Sequence, residues 1–248
     1  MSTRRLALPA LLLTACLPGS GWAEMTSDER AEFRAEVRAY LLENPDVLNE
    51  MVALLDARER ETAAARDDQI IAEKAAEIFD DGFSFVRGAP DGDVTIVAFL
   101  DYQCGYCKRA HPEVLDLLAG DPGIRLVVKE LPILGPVSEY ASRAAISTLI
   151  VAGPEAYGAL NDRLLRVKGQ LTEELIDAAV AKSGADAEAV RAGMDAPEVT
   201  RRIEATRAIA GDLAIQGTPS FVFGNRMVRG YAPLAAMREM VAEVRADG

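Results

Sequence analysis

Cysteine is scarce in this chain of 248 residues, which also has one histidine and one tryptophan. Of three cysteines, two form a single CxxC, Cys104 and Cys107, and the third is distant Cys16. That pattern argues against a stabilising disulfide framework, whose bridges normally close longer loops. A structural zinc site would need a second CxxC or a Cys/His cluster, and neither is present. The seven methionines form no Met-rich cluster, which weighs against dedicated carriage of a soft metal. No stretch approaches the roughly 20 apolar residues that span a bilayer. Basic residues are in deficit, with 27 Lys and Arg against 39 Asp and Glu, giving a net charge of −12. Such a surface argues against nucleic acid or anionic lipid as partner. Repeats and low-complexity tracts are absent too.

What is present begins with an export signal over residues 1–23. Arg4 and Arg5 form a charged start, Leu6 to Ala15 an apolar stretch, and Gly21-Trp22-Ala23 a small-residue cleavage site after Ala23. Leu13-Thr14-Ala15-Cys16 also fits a lipobox, in which Cys16 would be lipidated. Cleavage after Ala23 is preferred because a full cleavage region follows Cys16. Losing two arginines and no acid moves the charge from −12 to −14. The mature chain then keeps only Cys104 and Cys107, an arrangement suited to reaction rather than stapling.

Residues 24–79 carry helical periodicity with one breaker, Asn44-Pro45. Phe33, Val37, Tyr40 and Leu41 form a stripe before it, and Val47, Leu48, Met51, Val52 and Leu55 one after it. Beyond Asp56 the pattern is mostly charge and alanine, thinning to Ile70, Ile71 and Ile78. The stripes either fold back on the rest of the chain or pack against copies of themselves. The sparse apolar face of the later part favours the second reading, an N-terminal helical oligomerisation arm.

From Asp80 the texture changes, and residues 80–248 read as one α/β domain. Phe83, Phe85 and Val86 suggest a short strand, and Gly88 to Gly92 a turn. Val94–Leu100 and Ile124–Leu131 are apolar runs expected of strands buried on both faces, joined by a helix over Gln103–Leu118. That is a β–α–β unit with a parallel strand pair. A helical insertion at about 138–212 follows, with starts at Ser138, Thr172 and Pro197. Ser220–Phe223 and Met227–Tyr231 flank a Gly224-Asn225 turn as a hairpin, and Pro233–Arg245 is a closing helix.

Cys104-Gly105-Tyr106-Cys107 falls after a predicted strand, at the first turn of a predicted helix. A helix N-terminus stabilises a thiolate, so Cys104 is placed to attack and Cys107 to resolve a mixed disulfide. Gly105 and Tyr106 occupy the positions that bias redox poise. Asp101 and Glu130 are either buried carboxylates that tune the pair or solvated strand-end acids. His111 reads as a partly packed helical histidine before Pro112, with a role as base or metal ligand as the less favoured reading.

The segment Phe99-Leu100-Asp101-Tyr102-Gln103-Cys104-Gly105-Tyr106-Cys107-Lys108 resembles the active site of the DsbA family of periplasmic thioredoxin-fold proteins. Gly217-Thr218-Pro219-Ser220-Phe221 is similar to that family's cis-proline loop, and Lys129 to Gly135 to the segment after its second strand. The helical N-terminus resembles the trimeric ScsC-like branch, whose activity is like that of disulfide isomerases. The resemblance implies a thioredoxin fold with an inserted helical subdomain. It also implies a cis Thr218–Pro219 bond that presents backbone to substrate, and neither cofactor nor metal. The implied partners are unfolded or misoxidised exported proteins, a membrane redox partner that resets the CxxC, and copies of the chain itself, a trimer being favoured. Isomerase or reductase action in the periplasm is expected first. The alternatives are a dithiol oxidase and a copper(I)-binding protein using the two thiolates.

Overall fold

A computed structural model describes residues 25–247. The expected leader, with Cys16, lies outside the described residues. The chain divides into two compact units, one up to Ala57 and one from Arg58 onward. Among the described residues no helix is long and apolar enough to cross a membrane.

In the first unit, α1 (Ser27–Glu43) opens on a capping box. The Glu29 N–H donates to Thr26 Oγ1 at 3.3 Å and the Thr26 N–H donates to Glu29 Oε2 at 2.8 Å. This satisfies two of the donors that a helix start leaves unpaired. The helix stops where Asn44, through both its backbone and side-chain N–H groups, bonds the Tyr40 carbonyl. Pro45 then supplies no N–H to extend it. The second helix, α2 (Asp46–Glu73), begins at once. No residue of α1 is buried, and Phe33, Tyr40, Leu48, Met51, Val52 and Leu55 all stand more than half exposed. Of the apolar stripes read from the sequence, Leu41 and Val47 are half-buried and the other members are exposed.

The second unit follows the expected α/β order. After α3 (Ala75–Phe79) come β1 (Phe85–Gly88), β2 (Val94–Leu100), α4 (Gly105–Gly120) and β3 (Ile124–Glu130). The helical insertion holds α5 (Pro136–Arg166), α6 (Glu173–Ala181), α7 (Ala187–Gly193) and α8 (Pro197–Asp212). The hairpin β4 (Ser220–Phe223) and β5 (Arg226–Arg229) and the helix α9 (Leu234–Asp247) complete it. The sheet order is β1-β3-β2-β4-β5, with β2 and β3 parallel and every other pair antiparallel. Three breaks escaped the sequence reading: the one between α2 and α3 at Lys74, the start of α7, and a kink in α5 at Gly153, whose φ of 81° precedes Pro154. A left-handed glycine followed by a residue with no N–H interrupts the helix ladder for two independent reasons.

Both-face burial of the central strands holds with period two. Val94, Ile96, Ala98 and Leu100 of β2 join Leu126, Val128, Phe221 and Phe223 in the core beneath α4, α5 and α9. Val97 and Phe99 point the other way, with Val127 and Val222, into a second core. That second core also contains Ile71 of α2, Ile78 of α3, Ile209 of α8 and Leu213 just after it. The hairpin turn needs its glycine: Gly224 has φ 58°, and a Cβ there would lie 2.8 Å from Val244 Cγ1.

The unit boundary at Ala57 and Arg58 falls earlier than the change of texture at Asp80. The isoleucines that thin out after Asp56 are what close one face of the sheet. Polar ties reinforce them. Arg229 donates to both carboxylate oxygens of buried Asp67 at 2.7 and 2.9 Å, and buried Lys129 pairs with Asp81 while donating to the Glu77 carbonyl at 2.8 Å. Ile78 is fully buried, so Ile78→Ala is expected to cost about 2–5 kcal/mol. The check is guanidinium unfolding followed by circular dichroism. An unchanged midpoint would show that α3 does not belong to the core.

Candidate active site

Strand β2 delivers the CxxC to the sheet's edge, and α4 begins on it. Cys104 is the N-cap of α4, with extended backbone angles, and Cys107 lies one turn in. The first turn of α4 contains no acidic residue. Its positive end and unpaired N–H groups are therefore free to act on the cap side chain. The Cys104 thiol is held down to about 5, chiefly by a hydrogen bond from the Cys107 thiol. The backbone N–H groups of Cys107 and Tyr106 help, and together they outweigh partial burial. Cys107 is pushed far up, first by burial and then by the neighbouring Cys104. One helix turn thus separates a thiolate from a retained thiol. Both cysteines are free and buried by side-chain surface.

Across from the pair, the Thr218–Pro219 peptide is cis. In its thiol form, Cys104 Sγ donates to the Thr218 carbonyl at 2.9 Å. Once Cys104 ionises, that carbonyl faces a negative sulfur and is free to accept from another donor. Cys104, Cys107, Thr218 and Pro219, chosen from motifs more than 100 residues apart, are thus brought together. Gly105 has open space where a Cβ would sit, so sterics alone do not require glycine there. Tyr106 is 60% exposed and its ring lies 6.3 Å from that of Tyr231. Arg109 stacks over Tyr231 at 4.7 Å, forming a polar aromatic surface beside the pair.

Asp101 and Glu130 are both buried, so the solvated-acid alternative is overturned for each. Asp101 is a pin. Its carboxylate accepts from the backbone N–H groups of Gln103, Ile133 and Leu134 at 2.7, 2.9 and 3.0 Å, and from Ser138 Oγ at 2.7 Å. It thereby ties the CxxC loop to the segment after β3. Glu130 lies in a cage of hydroxyls, accepting from Tyr102 and Ser142 at 2.7 Å each and also from Tyr157. No hydrogen bond links Glu130 to either cysteine; Asn161 Nδ2, which donates to Tyr102 Oη at 3.1 Å, carries the network toward the CxxC cavity. Tyr157, Asn161 and Ser142 come from the helical insertion, and no spacing in the sequence connects them to Glu130. Among the described residues no group of three or more Cys, His, Asp or Glu side chains is placed to hold a metal ion.

Burial raises Glu130 to about 7, against the pull of its hydroxyl donors. An acid whose folded value is raised keeps its proton longer in the native state than in the unfolded one. Stability is therefore full below about 4.5 and declines as pH rises through about 7, by roughly 3 kcal/mol. Urea melts of wild type and Glu130→Gln are expected to diverge over that window, the wild type alone losing stability through this group. Parallel curves would show that Glu130 titrates normally.

Residues 95–242 match the DSBA-like thioredoxin domain, and residues 29–61 match the copper resistance protein ScsC N-terminal domain. A thioredoxin-like oxidoreductase from Silicibacter pomeroyi DSS-3 is 37% identical, with a TM-score of 0.66, covering 69% of this chain and 97% of that one. Proteus mirabilis ScsC in a transitional conformation is 27% identical, with a TM-score of 0.67, covering 91% and 99%. The thiol-disulfide exchange protein alpha-DsbA2 from Wolbachia pipientis is 27% identical, with a TM-score of 0.68, covering 73% and 97%. The Na(+)/H(+) antiporter NhaA of Herminiimonas arsenicoxydans is 32% identical over 149 residues, 58% of this chain and 23% of that protein. The chain thus spans about a quarter of the length of the curated relatives it matches.

Proposed function

The chain belongs to the DSBA-like thioredoxin domain family of thiol–disulfide oxidoreductases, and we propose that it is an exported isomerase or reductase of protein disulfides. The observation that carries this reading is the split between the two cysteines. Cys104 is ionised at neutral pH and lies against the Thr218–Pro219 backbone, while Cys107 is protonated and waits behind it. Cys104 attacks a substrate disulfide, forming a mixed disulfide and expelling one substrate thiolate. Another thiol of the substrate then attacks the substrate sulfur and displaces Cys104, or Cys107 attacks Cys104, expels the substrate thiolate and leaves the enzyme oxidised. An extended substrate segment pairs with the Thr218 backbone, which places its sulfur beside Cys104. The leader over residues 1–23 carries the protein to an oxidising compartment, where misoxidised exported proteins are the clients and a membrane redox partner resets the pair.

The arm supports the isomerase direction. The apolar stripes of α1 and early α2 are uncovered, and that stretch falls within the ScsC N-terminal match. Copies of the chain are the occupants that fit, with a trimer favoured, because such stripes bury best against their own kind. Several active sites around one client raise the effective concentration of attacking thiol. A second reading, dithiol oxidase, is favoured by Cys104 itself. A strongly acidic thiol stabilises the reduced enzyme and makes the disulfide a better oxidant.

Light scattering on the chain from Glu24, beside one from Arg58, separates these readings. The isomerase reading expects an oligomer for the first, a monomer for the second, and recovery of a scrambled disulfide substrate only with the first. Two monomers would move the oxidase reading ahead. Cys104→Ala is expected to abolish exchange in either case; exchange that persists would overturn the assignment of the attacking sulfur.

A further inference from the structure

Resolution of a mixed disulfide needs Cys107 as a thiolate, yet its surroundings keep it protonated. Some group must take that proton. A cavity of about 40 Å³ lies against Cys107, lined also by Ala98, His111, Asn161, Leu165 and Pro219. It has room for a water molecule. His111 stands four residues beyond Cys107, on the same face of α4. Its side chain is more than nine-tenths buried, and Nε2 has no hydrogen-bond partner. Asp162 Oδ1 is 3.1 Å from Nε2 but off the line a hydrogen bond requires, and that oxygen already accepts from Arg87 at 2.7 Å. On its other side His111 lines an open groove of about 670 Å³, together with Gln103, Lys108, Arg166 and Lys168. Among the described residues it is the only polar side chain that borders both spaces. Buried polar atoms without partners are uncommon and call for an explanation.

We propose that His111 is the proton-transfer group for the resolving cysteine, carrying the Cys107 proton between the cavity beside it and the open groove. This rests on the reading of Cys104 as the attacking thiol. The Cys107 Sγ proton passes to the imidazole, directly or through one water. The Cys107 thiolate attacks Cys104 Sγ of the mixed disulfide. The Cys104–Cys107 bond forms, the bond from Cys104 to the substrate sulfur breaks, and the substrate leaves with the electron pair as a thiolate that solvent protonates. The two cysteines are oxidised by two electrons and the substrate disulfide is reduced. The imidazolium then gives its proton to the groove. When a partner reduces the pair again, the same path runs in reverse.

The charges around the imidazole suit this role. Asp162 is kept ionised, at about 2, where the His111 and Arg87 contacts outweigh burial. It is the counter-charge for a transient imidazolium. The cations that face the two spaces are Arg87 of β1 and, around the groove, Lys108, Arg109, Arg166 and Lys168. Lys108 is itself held away, donating to the Gly169 carbonyl at 2.6 Å. The other buried acid that reaches the cavity is Glu130, through Tyr102 and Asn161.

The test uses the full chain and oxidised glutathione, with rapid quenching of two steps across about pH 5 to 9. One is formation of the Cys104–glutathione mixed disulfide, read in Cys107→Ala; the other is glutathione release by Cys107. His111→Gln and His111→Phe are expected to slow release at neutral pH by about tenfold or more. The pH dependence of release should also change in both variants. The formation step is expected to be unchanged in the same variants, which shows that the fold is kept. Release with the wild-type rate and pH profile in both variants would overturn the proposal. So would an effect confined to Glu130→Gln, which assigns the proton to the acid. A wild-type protein that forms no mixed disulfide would instead defeat the reading of Cys104.

Discussion

The structure turns on the hydrogen bond that the Cys107 thiol gives the Cys104 sulfur at the unneutralised N-terminus of α4. A helix start presents several N–H groups without partners and partial positive charge, and here no acid in the first turn absorbs either. The thiolate that results is useful only if the loop before it is fixed. Asp101 does this with four hydrogen bonds to both sides of the sheet edge, and β2 does it by being buried on both faces. Thr218 and Pro219 close the third side. Removing any of these supports would leave the cysteines in place in the sequence but without the asymmetry that makes one reactive and the other latent.

The two halves of residues 24–79 solve different problems. From Arg58 onward the chain contributes Ile71 and Ile78 to the second core and so belongs to the catalytic unit. Before Ala57 the apolar side chains face solvent. Exposed stripes on two successive helices are an unusual expense in a protein this acidic, because they invite association. That is the physical basis of the proposal that they pack against copies of the chain.

Much of this was legible in advance, for local reasons. The β-branched runs of β2 and β3, the turn at Gly224, and the CxxC at a strand-to-helix junction each announce themselves over a few residues. Thr218–Pro219 required family resemblance, since Gly-Thr-Pro by itself is an ordinary turn. What stayed hidden depends on residues distant in sequence. Asp101 and Glu130 could not be told from surface acids, because their partners Ser138, Ser142 and Tyr157 sit in the helical insertion. The unpartnered Nε2 of His111 becomes visible only when α4 packs beside Asp162 and the cavity under Cys107 closes. The packing of Ile71 and Ile78 was obscured by the charged, alanine-rich sequence around them, whose mean character describes the solvent face rather than the buried one.

The most direct measurement is the pH dependence of carboxymethylation in the reduced protein, with the labelled cysteine identified by mass spectrometry. The account expects labelling of Cys104 alone, with a midpoint near 5, and no reaction at Cys107 in the native state. A midpoint in the ordinary thiol range, about 8.5, or labelling of Cys107 at a comparable rate, would contradict the claim that the start of α4 divides the pair into a thiolate and a held thiol.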